Sequence, residues 1–229
     1  MKTYPIFANL TDKPCLVVGG GSVGERKVQD LRLAGARVTV VSPRVTPALA
    51  ELAEAGEIRH LAEDFRPDHA DGMALVMAAT DDPEVNARVS AAAQARSIWV
   101  NVADAPELCT FIVPAQVRRG NLTLAISTGG ASPALARKLR EELQQHFGPE
   151  YVPYLALLQG IRERLLEDRR GHPDNSRLFR RLVDSPLLET VARGDRARIV
   201  SLLVEILDSA LSSLVLGELV SQAFKEPEG

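Results

Sequence analysis

A loop of glycines near the amino terminus is the first feature of this 229-residue sequence that indicates chemistry. Gly19, Gly21 and Gly24 fit the spacing G-x-G-x-x-G, Gly20 adds one more glycine, and the apolar stretch CLVV precedes them. In this pattern the first glycine permits a tight turn, the second lets backbone approach a pyrophosphate, and the third packs a helix against a strand. The free N–H groups at the start of that helix attract phosphate. The loop therefore predicts a dinucleotide site; the alternative is a glycine-rich turn without a ligand.

The segment VVSPR at the end of the second predicted strand concerns the adenosine end of such a site. A carboxylate that binds the ribose hydroxyls is expected about 20 residues after the glycines, and this segment contains none. An arginine at position 44 suits the 2′-phosphate of NADP. Alternatively, Ser42 and backbone groups hold the ribose of NAD, while Arg44 stacks on the adenine or faces water. From these residues alone both cofactors stay open.

Polar residues also follow the fourth and fifth predicted strands, at the edge where open α/β sheets bind their ligands. Thr80 and Asp81 come after MALVMAA, and Asn101 and Asp104 come at the end of IWVNV and just beyond it. Oxidation by a nicotinamide releases a proton, so a carboxylate in this place suits a general base. A large apolar ligand that covers a carboxylate makes it hold a proton more tightly. Asp104 is thus a candidate catalytic residue, although the letters DAP equally fit a simple turn.

These residues need a scaffold in which strands and helices alternate. Five short stretches, CLVVG, RVTVVS, EIRHL, MALVMAAT and IWVNV, predict strands, and helix signals lie between them, with Pro47 and Pro83 at first helical positions. This order is typical of an α/β fold with a Rossmann-type parallel sheet. The next part, TFIVPAQVRR, GN and LTLAISTGG, predicts an antiparallel hairpin, followed by a helix capped by Ser132 and an all-α remainder. The predicted domains are a nucleotide-binding domain (1–113), a small α+β hairpin-plus-helix segment (114–148) and a helical C-terminal domain (149–229).

Composition and charge exclude several classes of protein. A hydrophobic content of 45% and a charged content of 25% are those of a globular protein, and the net charge of -3 argues against a nucleic-acid surface. No uncharged stretch is long enough to cross a membrane, and the amino terminus lacks the apolar core of a signal peptide. Cys15 and Cys109 show no metal-ligand spacing and suit free thiols in a reducing compartment. We expect a cytoplasmic protein with no bound metal, no nucleic-acid partner and no membrane anchor.

Five motifs taken together carry a resemblance to a known family. They are VVGGGSVGERK, VSP, AATDDPEVN, VNVADAPELCTFIVPA and ISTGGASPALARKLRE, and they span roughly residues 1–150. In these motifs the sequence resembles the siroheme synthase N-terminal module, whose members are precorrin-2 dehydrogenases and in several cases also sirohydrochlorin ferrochelatases. The resemblance implies NAD-dependent oxidation of precorrin-2 to sirohydrochlorin in siroheme biosynthesis, by a homodimer built through the hairpin and its helix. Fused relatives carry a methyltransferase domain after this module, so we expect another enzyme to supply the precorrin-2.

The resemblance also implies roles for individual residues. The active-site aspartate of the family falls on Asp104, and the family's use of NAD overrules the argument for NADP from Arg44. The candidate NAD contacts, those discussed above included, are Gly19, Gly20, Gly21, Ser22, Val23, Gly24, Ser42, Pro43, Arg44, Thr80 and Asn101. Metal insertion, with Fe²⁺ as a second substrate, stays open. Asp104 and His146 are its candidate residues, but a histidine near a helix end more often interacts with the helix dipole.

Precorrin-2 is rich in carboxylates, so its site should be basic although the chain is acidic. The candidate substrate contacts are Arg118 and Arg119 at the hairpin turn, Arg137 on the following helix, and the helix start at Ser132. The alternative for each arginine is a solvated helix face that pairs with nearby glutamates such as Glu141.

A second functional hypothesis is an NAD(H)-binding, redox-sensing regulator whose helical tail contacts DNA or another protein. Such a regulator needs a recognition helix with a basic face. The arginines of the tail are scattered instead, and Asp104 has no role in a regulator. The sequence therefore favours the dehydrogenase.

Overall fold

The computed structural model describes residues 3–168 and 170–225. The chain divides into two compact units, residues 1–113 and 114–229. The elements of the first unit are β1 (Pro14–Val18), α1 (Ser22–Leu33), β2 (Arg37–Val41), α2 (Pro47–Glu54), β3 (Arg59–Leu61), β4 (Leu75–Ala78), α3 (Pro83–Gln94) and β5 (Trp99–Val102). The strands form one parallel sheet in the order β3-β2-β1-β4-β5. This is the Rossmann-type sheet that the sequence predicts, and each of the five stretches predicted to be strands contains one.

The sheet is buried on both faces because helices cover it. Val17 belongs to the core on the side of α1, together with Val28, and Leu16 belongs to the core on the side of α3, together with Val89. A strand that is covered on both faces needs an apolar residue at every position. This explains why CLVV is a continuous apolar run rather than an alternating one.

Short polar residues fix where the connecting helices begin. Thr46 Oγ1 accepts a hydrogen bond from Leu49 N–H (3.4 Å), and Asp82 Oδ1 accepts from the N–H groups of Glu84 (2.8 Å) and Val85 (3.2 Å). A proline follows each cap at the first helical position, where the missing N–H costs nothing. The predicted starts of α2 and α3 are therefore confirmed.

The second unit begins with the predicted hairpin. Strands β6 (Ala115–Arg119) and β7 (Leu122–Ile126) pair antiparallel, and Gly120 takes a positive φ (+55°) in the turn between them. The first strand is shorter than the stretch TFIVPAQVRR predicts, because Pro114 has no N–H to donate to a ladder. The residues before Pro114 are hydrogen-bonded to a different strand, because the segment 109–111 forms hydrogen bonds with β5.

Helices form the rest of the second unit: α4 (Pro133–His146), α5 (Tyr151–Asp168), α6 (Asn175–Val183), α7 (Leu187–Ala192), α8 (Arg196–Leu207) and α9 (Ser213–Ala223). Helices α5–α9 share an apolar core in which Leu157, Ile161 and Leu203 are fully buried. None of the fourteen residues of α4, all of them described, is buried. Asn121 Nδ2 of the hairpin donates to Gln159 Oε1 of α5 (2.8 Å), so the domain boundary at residue 148 stays a prediction. Among the described residues, no helix combines the length and the apolar character that a bilayer crossing requires.

Candidate cofactor site and active site

The strand order places a crevice at the carboxyl edge of the sheet. The chain passes from β1 outward to β2 and β3, whereas β4 and β5 lie on the other side of β1, so the connections diverge between β1 and β4. Ligands of open parallel sheets bind at such a point. The glycine loop follows β1 there, next to the exit of β4, where Ala79 N–H donates to Val18 O (2.8 Å).

Three glycines of the loop are required by packing. A Cβ atom on Gly19 would lie 2.3 Å from Ala79 O, and a Cβ atom on Gly24 would lie 2.1 Å from Gly19 O. A Cβ atom on Gly20 would lie 2.3 Å from Arg44 O. All three glycines are buried. They let the loop, helix α1 and the turn after β2 approach one another more closely than a side chain would permit.

Gly21 differs from its neighbours because the fold does not require it. No described atom lies within 4 Å of an added Cβ, its φ of -80° suits any residue, and it is exposed. It is the N-cap of α1, and no side chain among the described residues caps the helix. The first N–H groups of α1, which include those of Ser22 and Val23, have no partner within the helix and lie at the positive end of its dipole. This open cradle fits the pyrophosphate of a dinucleotide.

The turn after β2, which the sequence predicts to lie at the adenosine end of the site, is fixed by its own hydrogen bonds. Ser42 Oγ donates to Arg44 O (2.7 Å), and His60 Nε2 donates to Ser42 O (2.9 Å). The side chains of Pro43 and Arg44 are exposed. Because the hydroxyl hydrogen of Ser42 is already used, its remaining lone pair can accept a hydrogen bond from a ribose hydroxyl.

A second contact joins this turn to the glycine loop. Thr46 N–H donates to Gly20 O (2.9 Å), and Thr46 Oγ1 donates to Glu25 Oε2 of α1 (2.6 Å). Gly20 also lies against Arg44 O, so the adenosine end and the phosphate end of the candidate site form one packed corner. Sequence reasoning misses this connection because the two segments meet only in the folded chain.

Thr80 follows β4 at the same edge and is held by a buried asparagine. Asn86 of α3, which is 7% exposed, donates from Nδ2 to Thr80 O (2.9 Å) and accepts at Oδ1 from Thr80 Oγ1 (2.9 Å). Sequence reasoning also misses Asn86. The available signal is a polar residue three positions before Val89, on the face of α3 that packs against the sheet.

Asp104 lies just beyond β5, at the same edge. Its backbone is left-handed (φ +59°), a conformation that Asp and Asn tolerate better than most residues. Its side chain is exposed, and within the described residues its carboxylate has no hydrogen-bond or ion-pair partner. Asn101 Nδ2, by contrast, donates to Phe111 O (3.1 Å) and so holds the segment that follows the turn. The free carboxylate suits a general base, and the left-handed backbone explains why an aspartate suits this turn.

The first unit thus brings all of the candidate cofactor residues and Asp104 to one edge of one sheet. Each of them lies at the carboxyl end of β1, β2, β4 or β5, in the loop or turn that follows that end, or in the first turn of α1. In the described ranges, no three His, Cys, Asp or Glu side chains gather as a metal-ligand group. The arrangement can bind a dinucleotide and accept a proton nearby.

The candidate substrate residues lie in the second unit, where each has a partner in its own unit. Arg119 donates to three carbonyl groups: Phe147 O (2.9 Å), Arg118 O (3.0 Å) and Gln144 O (3.2 Å). Two of these carbonyls belong to the last turn of α4 and the residue after it. Arg119 therefore caps the carboxyl end of α4 and fastens it to the hairpin.

The other three candidates are also hydrogen-bonded. Arg118 Nε donates to a glutamine on its own strand (3.2 Å), and Ser132 Oγ accepts from Leu135 N–H (3.2 Å) at the start of α4. Arg137 Nε donates to Glu141 Oε1 (2.9 Å); this hydrogen bond raises the pKa of Arg137 and lowers the pKa of Glu141. The pairing with Glu141 is the solvated alternative that the sequence leaves open. The substrate roles of these residues stay predictions.

Two family models match the chain, one in each unit. Residues 6–115 match a family described as "Putative NAD(P)-binding", and residues 119–146 match a family described as "Sirohaem biosynthesis protein central". The first covers the sheet and the glycine loop, and the second covers the end of the hairpin and α4.

Curated relatives and a solved structure are similar over longer ranges. A siroheme synthase from Thioalkalivibrio sulfidiphilus is 43% identical over 218 residues, which are 93% of this chain and 43% of that protein. One from Methylobacillus flagellatus is 55% identical over 163 residues, 71% of this chain and 35% of that protein. The chain spans less than half the length of these relatives. A solved chain named "SirC, precorrin-2 dehydrogenase" is 27% identical with a TM-score of 0.62, and the match covers 96% of this chain and 98% of that one.

Proposed function

Since the chain belongs to the siroheme synthase N-terminal module family, we propose that it is an NAD-dependent precorrin-2 dehydrogenase. The product is sirohydrochlorin, on the route to siroheme. The observation that carries the proposal is that the open glycine, Gly21, and the unpartnered carboxylate of Asp104 lie at one edge of the same sheet. The likeness to a solved precorrin-2 dehydrogenase along almost the whole chain supports it.

The proposed reaction balances with a single base. Precorrin-2 and NAD⁺ give sirohydrochlorin, NADH and one proton, and bound NAD supplies the nicotinamide that accepts the hydride. The N-terminus of α1 and the backbone at Gly21 hold the pyrophosphate, and Ser42 accepts a hydrogen bond from a ribose hydroxyl. Asp104 accepts the proton, because its carboxylate is not engaged elsewhere in the described structure.

An anaerobic assay with precorrin-2 tests this function directly. We expect NADH fluorescence and the sirohydrochlorin spectrum to rise together in equal amounts with NAD, and far more slowly with NADP. Preference for NADP would contradict the cofactor assignment and would indicate that Arg44 binds the 2′-phosphate. Binding of NAD without oxidation of precorrin-2 would contradict the dehydrogenase and favour the redox-sensing regulator.

We further propose that the protein acts as a homodimer through the hairpin and α4. Leu135, Leu139 and Leu143 form an apolar stripe on α4, and Leu135 is 47% exposed although it lies on that stripe. Such a stripe on an otherwise charged helix is typical of a contact surface. Leu135→Asp should shift sedimentation from dimer to monomer, whereas Leu214→Asp on α9, where Leu214 is 74% exposed, should not. Equal behaviour of the two variants would contradict this interface.

Fe²⁺ enters the proposal as the substrate ion of a second reaction, metal insertion into sirohydrochlorin. Asp104 is available to accept pyrrole protons, whereas His146 contacts the ring of Phe147 (centroids 5.0 Å apart) in the second unit. Sirohydrochlorin with Fe²⁺ or Co²⁺ should lose its metal-free spectrum in the presence of enzyme. A rate equal to that without enzyme would limit the protein to the dehydrogenation.

We place this chemistry in the cytoplasm. Cys15 and Cys109 are both free thiols, which a reducing compartment preserves. Cell fractionation of a tagged chain should recover it with the cytoplasmic proteins, and recovery with another compartment would contradict the assignment.

A further inference from the structure

The thiol of Cys109 lies against the turn that carries Asp104. Val102 N–H donates to Cys109 Sγ (3.1 Å), and the thiol lies 3.3 Å from Val102 O and 3.3 Å from Ala105 O, both of which can accept its hydrogen. Val102 and Ala105 are the first and last residues of the turn, and Asp104 lies between them. The half-buried sulfur therefore contacts both ends of the turn.

The hydrogen bond from Val102 N–H to Cys109 Sγ is one of two that side chains accept along the outer edge of β5. That strand is at the end of the sheet, so in the part of the chain that the structure describes its outward N–H groups have no neighbouring strand to bond to. Val100 N–H donates to Thr110 Oγ1 (2.8 Å), and Val102 N–H donates to Cys109 Sγ. Two adjacent side chains of the returning segment thus take the place of a sixth strand. Thr110 accepts the hydrogen bond from the middle of β5, and Cys109 accepts the one from its end, where the turn begins.

The turn has few other constraints that act on Asp104. Ala103 N–H donates to Ala78 O of β4 (2.9 Å), which fixes its first half. The backbone bond that closes the turn, from Ala105 N–H to Val102 O, is long at 3.5 Å. The second half, where Asp104 takes its left-handed conformation, is held at Ala105, whose carbonyl lies near the thiol (3.3 Å) and also accepts from Leu108 N–H (3.1 Å).

We propose that Cys109 is a positioning residue for Asp104, an inference that rests on the dehydrogenase function proposed above. The thiol keeps the two ends of the turn together so that the carboxylate of Asp104 faces the reacting carbon in one orientation. A misplacement of about 1 Å in a catalytic group costs up to about a hundredfold in rate, so this support should be visible in kcat. Cys109 itself touches neither substrate nor cofactor in the proposal.

The test is a double-mutant cycle between Cys109 and Asp104, with kcat, the Kd for NAD and Tm measured for each protein. Cys109→Ala should lower kcat by about tenfold or more and change the Kd for NAD by less than about twofold. Cys109→Ser keeps one donor and one acceptor at this position, so it should recover most of the rate. In the Asp104→Asn background, Cys109→Ala should lower the residual rate no further.

Cys15→Ala is the matched control, because it removes the other free thiol from the buried strand β1. It should lower Tm while leaving kcat unchanged, which separates loss of stability from loss of positioning. An equal effect of Cys109→Ala with and without the Asp104 carboxylate would overturn the positioning role alone. If the wild-type protein produced no NADH from precorrin-2, the proposed function and the role of Cys109 in it would both fall.

Discussion

The glycine loop and the Asp104 turn lie at the same edge of one sheet, yet they are held in place by opposite means. The glycine loop is fixed by close packing of backbone, because Gly19, Gly20 and Gly24 lie where no Cβ atom fits. The Asp104 turn is fixed by side chains that come from further along the chain, as the contacts of Cys109 show. Close packing of backbone tolerates no change, whereas hydrogen bonds from a neighbouring segment can be weakened one at a time.

The largest effect should come from the one glycine of the loop that packing does not require. Gly21→Asp places a negative charge where we propose that the pyrophosphate binds, and we expect the affinity for NAD to fall by about a thousandfold with an unchanged Tm. Gly24→Ala is the matched control, because its Cβ would meet Gly19 O: it should destabilise the fold by about 1–3 kcal/mol. Isothermal titration with NAD and thermal unfolding separate the two. If both variants lost stability alike, the distinction between these glycines would be wrong.

The next effect concerns the two reasons for an aspartate at position 104. Asp104→Asn keeps the preference for a left-handed backbone and removes the proposed base, so kcat should fall by about a hundredfold with a change in Tm too small to matter. Asp12 has nearly the same φ (+58°) in a loop before β1, and Asp12→Asn should leave kcat unchanged. Full activity of Asp104→Asn would show that position 104 matters for the conformation of the turn and that its carboxylate is not the base.

A smaller effect is expected from pH, through the strand beneath the glycine loop. Burial raises the pKa of the Cys15 thiol from 9.0 to about 11, so the folded protein keeps this proton at pH values where the unfolded chain loses it. Stability from this group is complete below about pH 9 and falls as pH rises toward 11, by roughly 2–3 kcal/mol in all. Urea unfolding at several pH values over this range gives the free energy of unfolding of the wild type and of Cys15→Ala. The loss is the difference between the two proteins in how steeply this free energy falls with pH. Parallel pH profiles would contradict the shift.

The smallest effect should come from the middle of the edge of β5. Thr110→Val removes the acceptor of Val100 N–H, and we expect a loss of about 1 kcal/mol in the free energy of unfolding. Thr110→Ser keeps the hydroxyl and should lose less. Because Thr110 is one step away from the turn, kcat should change by less than about twofold. A loss of rate as large as that of Cys109→Ala would erase the distinction between the two side chains.

The sequence predicts the scaffold well because the signals involved are local. Strands β1 and β4 are continuous apolar runs, a proline follows each of the helix caps Thr46 and Asp82, and the glycine spacing is interpretable within a single strand–turn–helix unit. The position of Asp104 at the carboxyl edge follows from the same alternation of strands and helices.

The contacts that hold the site in place are less predictable, because residue type does not show them. Asn86, Cys109 and Thr46 act through partners that become neighbours only when the sheet forms. Arg119 illustrates the same limit: a basic residue at a hairpin turn predicts an anionic ligand, but the sequence does not show that three of its nitrogens donate to backbone carbonyl groups. Charge can be counted in a sequence, but the acceptors available to it depend on where helix ends lie.

The packing of Gly20 against the turn after β2 limits how the cofactor preference of this protein can be redesigned. The main-chain atoms of Arg44 and Val45 lie within 3 Å of the position of a Gly20 Cβ, so this turn has no room to be lengthened or rebuilt toward the loop. An engineer who wants to exchange NAD for NADP is therefore restricted to new side chains at positions 42–44 on the existing backbone. Grafting the corresponding loop from an NADP-binding protein would displace the glycine loop along with it.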